Sequence, residues 1–389
     1  MTSLASSRER VGSISGIFYL AAQFGVRVTG FATLALFVYF FIRDRLYESK
    51  KVLILDYLKL TFSIGLLSVF FFVQSQFLDN SLRITTLLHL ALYASMTFAV
   101  KCDASPMPPL SLVRIVTIAN FFLIFTFFVP GLKDFFWYEN VGMYRYRSFY
   151  FEPSILAIFC VFNILVLYSS GVRGNFLYLI GNFLSLMVTV SGSGFFLLLL
   201  CVFVEIRFKN LVRFGLIFLV AVPLGMIILR YMGFYDSLLE QILGRISGVF
   251  ETQTDGSAQV RFVASYQYLS VLSGDLRSFF LGSGIGGIQS FMAEHTESLW
   301  FFINYDGEFL SEINNGYVVL IAIFGFPIGL FFLIKYISLF LRSDFHKSYR
   351  AFAVFYPFFS GFVIHPLFFL LVSSVFSSKS VRDNAYRNR

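Results

Sequence analysis

Residues Glu251-Thr252-Gln253-Thr254-Asp255-Gly256-Ser257-Ala258-Gln259-Val260-Arg261 sit inside the only long polar stretch of this chain, residues 232–312. That stretch sets Arg245, Arg261 and Arg277 against ten acidic residues and contains no lysine, a net charge of −7 in a chain of formal charge +8. A segment that avoids lysine but keeps arginine fits a loop carried across a membrane under charge bias, and also a surface that takes an anion.

The stretch has internal order. Leu238, Leu239, Ile242, Ile246 and Val249 recur at helical spacing over Ser237–Phe250, with Arg245 at the edge of the apolar stripe. Asp255-Gly256 breaks that helix. Ser257 then offers an N-cap to a second amphipathic helix reaching about Leu272, in which Arg261 shares a face with Ala264, Ser265 and Tyr268. Gly282-Ser283-Gly284-Ile285-Gly286-Gly287 follows, a run suited to a tight turn with few side chains.

Outside this stretch the chain is apolar. Hydrophobic residues make up 57% of its 389 residues and charged residues 13%, and the mean hydropathy is +0.76. That composition points to an all-α, polytopic membrane protein and away from a soluble domain. The basic excess then reads as loop charge that fixes topology, not as a nucleic-acid surface, so no nucleic-acid partner is expected. Cys102, Cys160 and Cys201 lie in or beside apolar runs, so no disulfide is expected. No small-residue cleavage site follows a short apolar core, so no cleavable signal peptide is expected either.

Apolar runs come in order. Val11–Ile42 reads as two short helices with Arg27 near their turn, or as one long tilted helix. Runs follow at about 52–73, 84–100, 110–131, 153–168, 175–190, 194–206 and 211–231. After the polar stretch come about 313–334 and an interrupted region, 351–376, that reads as a hairpin turning near His365. About twelve spans result: residues 1–231 with about nine, 232–312 as the large outer loop, and 313–389 with the last spans and a tail. With the N-terminus inside, Arg43–Lys51, Lys101, Arg173, Arg207–Arg213, Lys335–Arg350 and Lys379–Arg389 all fall on the cytoplasmic side. Arg27, Arg83, Lys133, Arg145 and Arg147 fall outside with the acidic loop, and both termini are cytoplasmic.

Further constellations could carry chemistry. Arg145 and Arg147 precede Glu152-Pro153-Ser154 at a helix start, where Pro153 lacks only a hydrogen bond that the first turn cannot make. Glu152 there is a helix cap paired with an arginine, or part of a pocket mouth. Ser191-Gly192-Ser193-Gly194 is a simple turn, or a break that exposes backbone donors. Asn314-Asn315-Gly316-Tyr317 opens the span after the loop, and Gly325-Phe326-Pro327-Ile328-Gly329 follows. His295 reads as a solvated surface residue.

This ordered series, from about Arg145 to Gly329, resembles the O-antigen polymerase (Wzy) family, whose broader relatives include the O-antigen ligases. The resemblance implies a bacterial inner-membrane glycosyltransferase of GT-C-like architecture with a partly helical periplasmic loop. It implies transfer of a growing glycan from undecaprenyl diphosphate onto a lipid-linked repeat unit, releasing undecaprenyl diphosphate. The implied partners are the undecaprenyl diphosphate-linked oligosaccharide donor and acceptor, membrane lipids and a chain-length regulator protein. No metal, nucleotide sugar or other cofactor is implied.

A diphosphate leaving group then needs guanidinium forks. Arg245 and Arg261 match the family's two loop arginines, and Arg147 with Glu152 the earlier pair. Arg145, Arg277, Asn314 and Asn315 are further substrate-binding candidates. The ligases carry a histidine at the helix start where this chain has Asn314, which weakens the ligase reading and leaves Glu152 and Glu312 as candidate bases. A flippase for lipid-linked oligosaccharides is the rival from another class, and a structural scaffold is a third. A flippase needs charge lining an intramembrane cavity, whereas this chain keeps most charge in loops.

Overall fold

The computed structural model describes residues 107–140, 143–148, 153–171, 173–204, 256–284, 287–295, 315–343 and 345–360, with Ile313 and shorter pieces within 16–20, 62–74, 219–231 and 367–375. Arg27, Glu152, Arg245, Glu312, Asn314, His365 and the helix expected over Ser237–Phe250 lie outside the described residues.

The described chain is mostly helical, as its composition predicts. Among the described residues, Leu110–Phe128 is the one helix long and apolar enough to cross a membrane, and the other apolar helices run 10–17 residues. Twelve spans therefore do not follow from the structure. One element departs from the all-α expectation. Strands β1 (Trp137–Asn140) and β2 (Met143–Tyr146) pair antiparallel, with Trp137 opposite Tyr146. Both rings are buried, 5.2 Å apart, in a segment rich in the aromatic residues that favour strands.

The chain divides into two compact units. The first comprises Met1–Thr29, Asp103–Phe250 and Asp344–Tyr356. Its helices include α2 (Leu110–Leu123, extended by a 3-10 turn to Phe128), α3 (Lys133–Phe136), α4 (Pro153–Ser169), α5 (Phe176–Val188) and α6 (Gly192–Val204); α1 (Gly65–Gln74) belongs to the second unit. α4 starts at Pro153 as expected and is apolar on every side, which suits a helix buried all round. Its buried Asn163 is satisfied by a chain of side chains. Tyr19 donates to Asn163 Oδ1 at 2.6 Å, Asn163 Nδ2 to Asn182 Oδ1 at 3.3 Å, and Asn182 Nδ2 to Thr117 Oγ1 at 2.7 Å. Each such bond contributes on the order of 1 kcal/mol net, and each would cost more if left half-made.

The helices alternate in direction. At one end Arg114 of α2 reaches Asn175 before α5, and Asn175 in turn donates to Leu167 O of α4. At the other end Arg145 of β2 reaches the last carbonyls of α5.

The second unit comprises Gly30–Cys102, Glu251–Ser343 and Pro357–Arg389. It contains α1, α7 (Gly256–Gly274), α8 (Leu276–Leu281), α9 (Ile288–Glu294), α10 (Gly316–Phe324) and α11 (Phe326–Leu341). α7 begins at Gly256, one residue ahead of the expected Ser257 cap, so Ser257 lies inside it. It buries Ser265, Tyr268 and Leu272 along one face, close to the predicted stripe.

The single run expected over 313–334 is two helices. Gly325 at φ +77 ends α10, and Pro327 sits in the first turn of α11. The two fold back as a hairpin, with Tyr317 beside Tyr336 and Gly329 against Ile321. α11 then continues through Lys335, which was expected in a loop and instead rests its ammonium over the Phe331 ring.

Gly194 shows what the Ser-Gly break is for. A Cβ there would lie 2.6 Å from Ala157 Cβ and 2.8 Å from Leu186 Cδ1, so its missing side chain lets α6 approach α4. The break serves packing, and Ser191 beside it is buried. Gly194→Ala is expected to lower stability by about 1–3 kcal/mol through overpacking. Ala157→Gly in the same chain should recover most of that loss, read as the unfolding temperature of the purified protein. Equal melting of Gly194→Ala and wild type would remove the packing role.

Candidate functional site

The polar stretch folds onto the α10–α11 junction through its glycine turn. Gly282 (φ +73) and Gly284 (φ +79) take conformations that other residues avoid. A Cβ on Gly282 would stand 2.5 Å from both Ala322 O and Gly325 N. Ser283 N donates to Ala322 O at 2.6 Å, and Ser283 Oγ shares its hydrogen bonds between Ala322 O and the Tyr268 hydroxyl. From α1, Gln74 Nε2 donates to Ile323 O at 2.7 Å and also to Leu281 O. Burial raises the Tyr268 pKa, so its hydroxyl stays protonated.

With one face of α7 pinned in this way, the other side opens a cleft. The C-terminal half of α7, Asp275 and His295 line a space of about 530 Å³. Tyr266 is 73% exposed at its rim, and Ser270 is exposed beside it. Gln267 Oε1 is buried without a hydrogen-bond partner among the described residues, which leaves an acceptor seeking a donor. Asp275 caps α8, accepting from Ser278 Oγ at 2.6 Å, Ser278 N at 2.9 Å and Arg277 N at 3.3 Å. The Ser278 bonds hold its carboxyl below the usual range, so it stays ionised.

His295 corrects the surface reading. It is half-buried, its ring tilted against that of Phe291 at 4.4 Å, with Nδ1 2.9 Å from Phe291 O. A carbonyl only accepts, so Nδ1 carries a proton and donates it to Phe291 O. Among the described residues the cleft offers an aromatic face, a carboxylate and an imidazole.

The arginines expected to hold substrate divide between the units. Arg145 Nε donates to Thr189 O at 3.2 Å and its Nη2 lies 3.5 Å from Val190 O, so the guanidinium closes the C-terminus of α5. Arg147 Nη2 donates to Asp134 O at 3.1 Å and Phe135 O at 3.3 Å. Both therefore brace helix ends in the first unit. Pairing with Glu152 lies outside the described residues.

In the second unit, Arg261 lies on α7, with its side chain outside the described atoms. Arg277 is exposed in α8. Asn315 caps α10, its Oδ1 accepting from Tyr317 N at 3.1 Å and Val318 N at 3.4 Å. Sequence reasoning passed over Tyr266, Gln267 and Ser270, because exposed polar residues on a helix carry no periodic signal. Asp275 entered the sequence reading only as one of the ten acidic residues of the stretch.

No protein-family model matches the chain, and neither does any curated protein or solved structure.

Gly282→Ala is expected to destabilise the protein by at least about 1–3 kcal/mol, because the new Cβ meets backbone that cannot rotate away and the φ is strained. Gly274→Ala, at the end of α7 with nothing within 4 Å of a Cβ, should be neutral or slightly stabilising. Limited proteolysis of residues 256–295 together with thermal unfolding reads both. Equal tolerance of the two changes would contradict the clamp.

Proposed function

We propose that the chain is a polysaccharide polymerase of the bacterial inner membrane. It transfers a growing O-antigen glycan from undecaprenyl diphosphate to a lipid-linked repeat unit at the periplasmic face. The observation that carries the reading is an ordered polar cleft inside the lysine-free acidic segment, fixed by backbone contact to an apolar helical hairpin. A scaffold needs no such cleft, and a flippase would keep its polar groups within the helices.

Exposed apolar faces support the membrane setting. Ile115, Phe122 and Phe125 on the first unit's α2, and Phe331 and Ile334 on the second unit's α11, are 45–65% exposed, a surface that lipid would cover. A helix broken at Gly325, with its freed carbonyls satisfied by other segments, is the kind of irregular backbone tolerated at membrane depth. The alternating helices of the first unit suit chain crossings in opposite senses, with both termini cytoplasmic.

In the reaction the acceptor hydroxyl loses its proton to a base, its oxygen bonds to the anomeric carbon, and the bond from that carbon to the diphosphate oxygen breaks. Undecaprenyl diphosphate leaves with the electron pair. Arg245 and Arg261 are assigned to the charge that builds on the diphosphate, because paired guanidinium donors strengthen as it forms. Glu152 or Glu312 takes the proton.

A deletion strain should display surface polysaccharide with single repeats on a gel. Bare lipid core would instead indicate a ligase or a flippase. Arg245→Ala and Arg261→Ala should each lower polymer formation on purified lipid-linked repeats by about a hundredfold or more, with the protein still accumulating. Lysine at either position should be less harmful than alanine, since it keeps the charge without the planar fork. Near-wild-type polymer from both alanine variants would end the assignment.

A further inference from the structure

We infer that Arg114 anchors a phosphate site at the end of the first unit opposite Arg145, taken by the headgroup of an anionic phospholipid. The inference rests on the membrane setting of the proposed function and on none of its glycosyl chemistry. Three observations carry it. The first is how the guanidinium is held. Arg114 Nε and Nη2 both donate to Asn175 Oδ1, at 3.0 and 2.7 Å, and Cζ lies 5.4 Å from the centre of the Tyr178 ring. Asn175 is buried, and its Nδ2 is committed to Leu167 O at 2.9 Å and Ser170 Oγ at 2.7 Å. Its oxygen is thereby turned to the arginine.

The second observation is charge. A neutral amide orients the guanidinium without neutralising it, and among the described residues no carboxylate pairs with Arg114. The first turn of α2 carries no acid either, so the positive end of the helix dipole adds to the same charge. The rest of the guanidinium fork is left for an anion, and phosphate oxygens match its planar donors.

The third is the surrounding surface. Among the described residues α2 is the one helix that suits a membrane crossing, and Arg114 is the fifth residue of it. Ile115 and Ile118 on α2 are 56% and 43% exposed, and Leu177, close to Asn175, is 76% exposed. A half-buried cation flanked by bare apolar side chains suits an amphiphile, with phosphate on the fork and acyl chains along Ile115 and Ile118. Inorganic phosphate would satisfy the fork and leave that surface bare. On the charge-bias topology this end is cytoplasmic, where anionic lipids give the leaflet its negative potential.

The test is native mass spectrometry of the purified full chain with phosphatidylglycerol or phosphatidylcholine, and with inorganic phosphate as competitor. Phosphatidylglycerol should bind about fivefold or more tightly than phosphatidylcholine, and excess inorganic phosphate should not displace it. Arg114→Gln should remove the preference. Lys335→Gln takes the same charge from an exposed site in the second unit and should keep it. Arg114→Lys retains the charge, but one ammonium cannot serve both Asn175 and a phosphate as the fork does, so the preference should fall by about half or more. That variant carries the comparison where glutamine at this position does not accumulate.

Equal binding of the two lipids, displacement by inorganic phosphate, an unchanged preference in both Arg114 variants, or an equal loss in Lys335→Gln would overturn the site. A merely structural Arg114 would lower the unfolding temperature of its variants without moving the lipid preference. None of these readings needs polymer formation. Their failure with single repeats in the deletion strain removes the lipid site alone, whereas intact polymer in that strain removes the polymerase reading alone.

Discussion

The second unit depends on one constraint: α10 ends after nine residues, and its last carbonyls must find donors elsewhere. In a continuous helix Ala322 O and Ile323 O would bond to the next turn. The break at Gly325 removes those partners. Ser283 N takes up Ala322 O and the Gln74 side chain takes up Ile323 O. Donors can come this close only because Gly282 and Gly325 have no side chains at the contact. The cost of breaking an apolar helix is thus offset by two segments distant in sequence, and each of them is positioned by doing so. In an apolar surrounding the offset is obligatory, since no water can substitute.

From that contact the cleft follows. Tyr268 reaches the same Ser283 and packs 5.2 Å from Phe291, tying α7 to both the glycine turn and α9. Leu272, Phe291 and Met292 join Val318–Phe324 in one core. The face of α7 that carries Tyr266 and Ser270 is then turned out, and Asp275 and His295 fall on either side of it. Pinning one face of a helix fixes the other, so the lining is set before any ligand arrives. Such preorganisation lowers the entropic cost of binding.

Local signals in the sequence proved legible where they depend on covalent geometry. Pro153 opens α4, Gly256 opens α7 beside the expected cap, and the 282–284 turn uses the positive φ its glycines permit. The apolar runs located α2, α4 and α5 to within a few residues. What it could not reveal was the fold-back at Gly325, because an apolar run looks the same whether it continues or turns, and the donors that permit the turn lie at positions 74 and 283. The contact of Arg145 with the carbonyls at the end of α5, 44 residues away, was likewise not legible in the sequence. His295 packs against the Phe291 ring one turn back, a contact that composition does not encode.

A glycosyl transfer of the proposed kind makes opposite demands at its two ends. The departing diphosphate needs donors and positive charge, while the incoming hydroxyl needs acceptors and must not be trapped by cations. A segment of net −7 with three arginines and no lysine can meet both only if the two are kept apart. Arginine suits the first task, because its fork bonds phosphate oxygens directly and is less easily neutralised than lysine. A carboxylate suits the second, and Asp275 is among the described residues that line the cleft. Excess acid elsewhere in the segment falls off within a Debye length of about 10 Å at ordinary salt, so it repels free anions without cancelling a guanidinium in contact with its phosphate. Lysine would blur that division, since a long flexible ammonium reaches either site. Its exclusion from all of residues 232–312 is therefore as much a part of the proposed chemistry as the arginines that remain.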